Sequence, residues 1–180
     1  MSVIELTTNR LKLRLFQEEE AEHIAALCNN YAIYRSTLTM PYPYTVDDAR
    51  LWMKNHQENI EQEKRYELAV TCRKSGMLYG AIMLNPNYQH KHGEMAYWIG
   101  EPYWGKGYGT EALRAMIDFA FTEKNLHRVY ARYFKSNPAS GRVMEKAGMT
   151  KEGILKNHVS KEGAFEDLVY YGMVNPTCTT

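Results

Sequence analysis

Leucine alternates with charge along residues 10 to 16, RLKLRLF, the period-two pattern of a half-buried strand. From residue 18 to 29, EEEAEHIAALCN, the period changes to that of a helix, with Ala21, Ile24, Ala25 and Cys28 on one face. Three acids fill its first turn, where the helix dipole favours them. The loop TLTMPYPYT, with two prolines, leads to Thr45, which together with Asp48 matches a capping box and starts a second helix carrying Ala49, Trp52, Met53 and Ile60. YELAVTCR and MLYGAIML predict two strands joined by a Lys-Ser-Gly turn, and EMAYWIG a third that ends at a glycine-rich run. From Thr110 to Phe121, Ala112, Leu113, Met116, Ile117 and Ala120 make one apolar face, so an amphipathic helix follows. HRVYARYF predicts another strand and NPASGRVMEKAGM a short helix with Asn137 near its start and Gly148 at its end. Residues 152 to 174 close the chain as a hairpin around KEG.

The order is strand, two helices, three strands, helix, strand, helix and two strands, about seven strands in all. It predicts a mixed sheet with helices packed on it, an α/β or α+β domain. No repeat, low-complexity tract or linker divides the sequence, so residues 1–180 read as a single domain.

Composition narrows the functional classes. At 44% apolar residues the chain can bury a full core unaided. Its apolar stretches fall well short of the roughly 18 to 20 residues of a membrane span, and MSVIELTTNR lacks the basic flank and apolar core of a secretory signal. The reading is a soluble cytoplasmic protein with no membrane partner. Cys28, Cys72 and Cys178 are odd in number and in no metal-ligand spacing, so unpaired thiols are expected in place of a disulfide framework or a zinc knuckle. A net charge of +1 gives no global field toward nucleic acid, so any anionic partner must be held locally. The 14 tyrosines fit a core or a pocket wall better than a base-stacking surface.

The local holder is the stretch YWGKGYGTEA, in which Gly105, Gly107 and Gly109 stand at every second position before a helix-forming run. Three glycines exceed the need of one tight turn. A strand that delivers its C-terminal end to such a loop, which then opens a helix, offers unpaired N–H groups and the helix dipole to an anion such as a pyrophosphate. A Walker loop needs Gly-Lys-Ser/Thr, whereas Lys106 is followed by Gly107, and a dinucleotide fingerprint needs a tighter turn off its strand. Taken alone, the glycines fit a ligand-free turn better than an anion site.

Read together, EMAYWIGEPYWGKGYGTEAL and HRVYARYFKSNPASGRVMEKAGMTKEGILK resemble the acyl-CoA-binding half of the GNAT superfamily of N-acetyltransferases, in particular its RimJ/RimL-type branch, which includes acetyltransferases of ribosomal-protein N-termini. The match is strongest over residues 93 to 172 and extends in weaker form from residue 8. The resemblance implies a mostly antiparallel sheet with helices on both faces, in which a bulge splays EMAYWIG from HRVYARYF and leaves a slot for pantetheine. It implies that the pyrophosphate of acetyl-CoA sits on the backbone of Trp104, Gly105, Lys106, Gly107, Tyr108, Gly109 and Thr110. Trp104 stands where the superfamily usually has Gln or Arg. It further implies an oxyanion-binding N–H near Tyr97 to Ile99, with Ile99 among the cofactor contacts, Asn137 on the pantetheine and Ser140 at the sulfur.

Acetyl transfer from a thioester to an amine needs a neutral nucleophile, a stabilised oxyanion and a proton for the thiolate. The resemblance implies Glu94, at the start of its strand, as the acceptor of the amine proton, usually through water. A solvated strand end explains Glu94 equally well. A second acid of the ribosomal branch is replaced near His158 and Val159. Asn137 before Pro138 also fits a helix cap, and the two roles are compatible. His90, His92 and Glu94 share strand parity, but Gly93 interrupts them and no fourth ligand is evident, so no metal is expected. The acceptor loops are YRSTLTMPYPYT and KNHVSKEG, by analogy with related folds. The expected activity is acetyl-CoA-dependent transfer to a primary amine, first choice a protein N-terminus such as a ribosomal subunit's. A small-molecule amine or a non-catalytic CoA-binding module are the alternatives, and a homodimer is allowed for.

Overall fold

The computed structural model describes residues 4–177. Cys178 lies outside them, while Cys28 and Cys72 are free thiols. Eight strands form one sheet: β1 (Glu5–Thr7), β2 (Leu11–Arg14), β3 (Tyr66–Cys72), β4 (Leu78–Asn87), β5 (His92–Ile99), β6 (Arg128–Phe134), β7 (Thr150–Lys161) and β8 (Ala164–Val174). Their order is β1-β2-β3-β4-β5-β6-β8-β7. Every pairing is antiparallel except that of β5 with β6. The strand beyond the expected seven is β1, a three-residue edge too short for periodicity to mark it.

Helices α1 (Ala21–Cys28), α2 (Tyr31–Ser36), α3 (Val46–Met53) and α4 (His56–Glu61) fill the connection from β2 to β3, and α5 (Tyr108–Thr122) and α6 (Pro138–Lys146) flank β6 in sequence. The Thr45–Asp48 capping box forms as the sequence predicts. The helix it starts is not continuous to Ile60. Asn55 takes ψ 8°, which offsets α4 from α3 and seats His56 against Phe16 and Trp52, with ring centroids 5.5 and 4.6 Å away.

Two cores lie on opposite faces of the sheet. The larger joins α5 and α6 to the sheet through Leu113, Met116, Ile117, Met144 and strand residues such as Leu68, Ile82, Leu84 and Met95. The smaller joins Ala21, Ile24 and Cys28 of α1 and Ala49 of α3 to Ala69, Ala81 and Trp98. β3 is buried along almost its whole length, as a strand covered on both faces must be. No helix among the described residues is long and apolar enough to cross a membrane.

The sheet opens at its middle. β5 pairs with β6 only from His92–Arg128 to Met95–Ala131, while β6 continues against β8 as far as Phe134–Leu168. Residues 96 to 99 therefore have β4 on one side and a gap on the other. The expected bulge is not in β5, whose ladder with β4 runs from Gly80–Ile99 to Asn87–His92 without a shift. The irregularity lies one strand away, where Val70 pairs Gly80 and Thr71 pairs Leu78, leaving Tyr79 as the extra residue. Gly93 does not interrupt β5 either. It is a strand residue, and the close packing leaves no room for a side chain, since a Cβ there would meet Leu84 Cδ1 at 2.5 Å.

Candidate active site

The gap exposes backbone groups in a defined order. Gly100 N–H donates to Tyr79 O at 2.8 Å, so alternation along an antiparallel ladder turns the N–H groups of Trp98 and Ala96 toward β4 and those of Tyr97 and Ile99 toward the gap. Ile99 C=O faces the same way and accepts the Trp104 indole N–H at 2.6 Å. Trp104 is thereby folded back against the strand end, with its ring still half-exposed.

Beyond Trp104 the chain needs positive φ twice, at Gly105 (φ 71°) and Gly107 (φ 80°), the second as the N-cap of α5. No side chain caps α5, so the N–H groups of Tyr108, Gly109 and Thr110 in its first turn have no side-chain cap. Gly109 is helical and a Cβ there would find only ordinary contacts, 3.6 Å to Ile99 and 3.7 Å to Val143. Its missing side chain serves no packing need of the protein itself. Arg10 braces the loop from β2's side: its guanidinium donates to Lys106 O at 2.8 Å and to Glu111 at 2.6 Å. Glu111 also accepts from Thr8 Oγ1 and Arg10 N–H. Burial raises its pKa, but these hydrogen bonds and the Arg10 charge outweigh it and hold the carboxyl below its ordinary range. Lys106 turns its ammonium to Pro102 O at 3.0 Å.

At the gap's other wall, Asn137 occupies the N-cap position of α6 but its side chain caps nothing. Its amide donates to Ser140 Oγ at 3.3 Å instead, so the expected side-chain cap is absent and the two residues form one polar pair. Tyr97 reaches across the gap and donates its phenol to Ser140 O at 3.0 Å. Burial pushes the Tyr97 phenol pKa up, so it stays a donor. A Cβ on Gly141 would meet the Tyr133 hydroxyl at 2.5 Å, so α6 packs tightly on β6 here.

A cavity of about 640 Å³ opens from the α1–α4 side of the sheet and extends through the gap as far as Ser140 and Met144. Ser36 to Pro41 and Tyr44 form one wall, so the aromatic loop stands where the sequence places it. KNHVSKEG lines no part of the cavity. It buttresses the wall from outside, with Lys161 Nζ 3.7 Å from the Tyr34 ring centre and the Tyr31 hydroxyl donating to Glu162.

Glu94 lines the cavity, and Arg132 Nε donates to its Oε1 at 2.7 Å. It is ion-paired with Arg132 and not a plain solvated strand end. Glu67 and Arg65 also line the cavity, as do Asp48, Met83, Ala96 and Trp98. Glu67 is 4% exposed, with Arg65 Nε 3.3 Å from one oxygen and His56 Nε2 3.0 Å from the other. The signal for Glu67 was present in YELAV: an acid inside an otherwise apolar strand run is costly to bury unless it is paired. His90 and His92 stack with ring centres 6.1 Å apart, and Glu94 turns away to Arg132. Among the described residues no group of three or more His, Cys, Asp or Glu side chains is placed to hold a metal ion.

A splayed mixed sheet, an uncapped glycine loop on one side of the gap and an acceptor cavity on the other define an acyltransferase of the acetyl-CoA-dependent N-acetyltransferase class. The family model described as "Acetyltransferase (GNAT) domain" matches residues 10–150, and the chain belongs to that family. The chain is 34% identical over 138 residues to a probable N-acetyltransferase, YjcK, of Bacillus subtilis (strain 168), covering 74% of this chain and 75% of that one. It is 25% identical over 163 residues to spermidine N(1)-acetyltransferase of Escherichia coli (strain K12), covering 91% and 85% of the two. Its fold matches RimL, a ribosomal L7/L12 alpha-N-protein acetyltransferase solved in complex with coenzyme A, with TM-score 0.86 at 18% identity, covering 95% of this chain and 98% of that one.

Proposed function

We propose that this N-acetyltransferase acts on the N-terminal α-amine of a protein, with a ribosomal subunit as first candidate, and that residues 1–180 work as one domain. The observation that carries the proposal is the charge pattern of the cavity. Its walls are aromatic and methionine-rich, and two of its three acids stand beside arginines, Glu94 with Arg132 and Glu67 with Arg65. A polyamine needs several free carboxylates, whereas a peptide terminus presents one ammonium and an apolar or amide remainder. A small-molecule amine is the second reading, favoured by the similarity to the spermidine enzyme.

In this reading acetyl-CoA lays its pyrophosphate on the N–H groups from Trp104 to Thr110, passes its pantetheine by Ile99 and Asn137, and presents its carbonyl to the N–H groups of Tyr97 and Ile99. Glu94, held by Arg132, accepts a hydrogen bond from the incoming amine. Ser140 Oγ stands at the sulfur and supports the negative charge that grows on it as the C–S bond breaks.

The test is release of free thiol from acetyl-CoA with N-terminal peptides, α-blocked lysine peptides and spermidine as acceptors. Peptide α-amines are expected to turn over fastest; preference for spermidine would replace the first reading by the second. Ser140→Ala should lower kcat about tenfold or more with little change in CoA affinity, because a contact to sulfur strengthens as thiolate charge develops. Equal turnover in variant and wild type would remove Ser140 from the site.

A further inference from the structure

We infer that Glu67, a residue of β3 two strands away from the gap, is the group that takes the proton from the acceptor amine. The inference rests on the reading of this cavity as the acceptor's side of the site.

Glu67 differs from Glu94 in how its oxygens are satisfied. Arg132 makes an aligned 2.7 Å hydrogen bond to Glu94. The neighbours of Glu67 are close but misaligned: both ring nitrogens of His56 are buried without a hydrogen-bond partner although Nε2 lies 3.0 Å from the carboxylate. Arg65 sits at 3.3 Å and directs another nitrogen to Met83 sulfur. A glutamate only 4% exposed, whose two close neighbours give it no aligned hydrogen bond, gains from a donor in the cavity. A protonated amine, or the water that carries its proton, is such a donor.

The path to the reacting centre is in register. Glu67 pairs with Met83, and Met83 with Ala96, so the three form one row across β3, β4 and β5 on the cavity face. Two strand spacings are about 10 Å between backbones, a distance that a glutamate side chain and one water can bridge. Ala96 has only a methyl group to obstruct the end of the row, and Tyr97, whose N–H faces the gap, is the next residue.

Charge completes the case. His56 from α4 and Arg65 on its own segment stand against Glu67, and Asp48 from α3, Glu94 from β5 and Arg132 from β6 line the same cavity. His56 is pushed down to about 4, first by burial and then by Arg65, so it is neutral near pH 7. Asp48 is held low by hydrogen bonds from Thr45 and stays ionised. Burial raises the Glu67 carboxyl, and Arg65 only partly offsets this, which moves it toward the range useful to a base at neutral pH.

The proton balance closes. Glu67 accepts one proton from the ammonium, directly or across one water, and the freed nitrogen lone pair attacks the thioester carbon. The C–S bond then breaks with its electron pair on sulfur, the sulfur takes the second nitrogen proton, and Glu67 returns its own to solvent.

Glu67→Gln, isosteric and neutral, should lose about 100-fold in kcat/KM for a peptide α-amine at about pH 6.5 and come within about threefold of wild type at about pH 9, where the amine is already neutral. CoA affinity by calorimetry and thermal unfolding should be unchanged, which separates loss of the base from loss of the fold. Arg65→Met provides a second readout: without its positive charge the Glu67 carboxyl titrates higher, so the acidic limb of the kcat/KM profile should move to higher pH. Wild type inactive on every amine would overturn the proposed function itself. Active wild type with a Glu67→Gln variant unchanged at all pH values, or altered only in acceptor KM, would overturn the assignment of Glu67, as would an unmoved limb in Arg65→Met.

Discussion

Gly109 is the residue at which the demands of the fold and of the ligand separate most cleanly. Gly105 and Gly107 have positive φ, so a side chain there strains the backbone whether or not a ligand is bound. Gly109 is helical with room for a methyl group, 3.6 Å from Ile99 and 3.7 Å from Val143. Gly109→Ala should therefore leave stability unchanged or raise it by up to about 1 kcal/mol. In the proposed pose of CoA the same methyl would sit beside Ile99 where the cofactor approaches the loop, so CoA affinity is expected to drop at least about tenfold, about 1.4 kcal/mol. Calorimetric titration together with urea unfolding measures both, and an unchanged affinity would separate the glycine loop from the phosphates.

Between elements, the loop is held by a clamp made of β2's approach and the first turn of α5. Glu111 gathers Thr8 Oγ1 at 2.6 Å, Arg10 N–H at 2.8 Å and the Arg10 guanidinium, which in turn holds Lys106 O. Glu111→Ala should cost about 1 kcal/mol, because it leaves the part-buried Thr8 hydroxyl without this acceptor and removes two exposed hydrogen bonds from Arg10. Its pKa is lowered by folding, so its contribution is present above the unfolded carboxyl value and disappears as pH falls through the folded one. Urea unfolding of both proteins at about pH 7 and about pH 3 should show a gap that closes at the lower pH; a gap independent of pH would mean that the clamp is packing rather than charge. CoA affinity should fall with the clamp, since Arg10 no longer braces Lys106.

For the molecule as a whole, the choice of acceptor follows from how much work its base must do. A lysine amine, with pKa about 10.4, is neutral about one part in a thousand near pH 7.4, roughly 4 kcal/mol to overcome, whereas an α-amine with pKa about 7.7 to 8 is already substantially neutral. Both glutamates of this cavity stand beside arginines, so the site offers a lysine ammonium no unpaired glutamate charge. The enzyme should therefore acetylate an N-terminal peptide at least about 100-fold faster than an α-blocked lysine peptide at neutral pH, with the difference narrowing as pH rises. Rates on both peptides across the pH range decide this, and a preference for lysine at neutral pH would point to a stronger base and a different acceptor.

How much of this was legible in the chain depends on how local each instruction is. The alternation of RLKLRLF, the helical face of residues 110 to 121, the Thr45–Asp48 box and the glycine loop are all written in near neighbours, because side-chain period, capping and positive φ are properties of a few consecutive residues. The sequence by itself therefore determined the element order, the family resemblance and the phosphate-binding segment as a candidate. Only the tertiary structure decided which strand carries the irregular residue, since Tyr79 is extra solely by comparison with β3. It also decided that Asn137 turns to Ser140 in place of capping α6, and that Arg132 takes hold of Glu94 from 38 residues away. Glu67 shows the limit most plainly: period two places it on a face of β3 with Arg65 two residues before it, but His56 comes from α4, and Met83 and Ala96 in its row come from two further strands. Charges that meet across a sheet leave no mark on spacing along the chain, because strand register, not sequence distance, sets which of them touch.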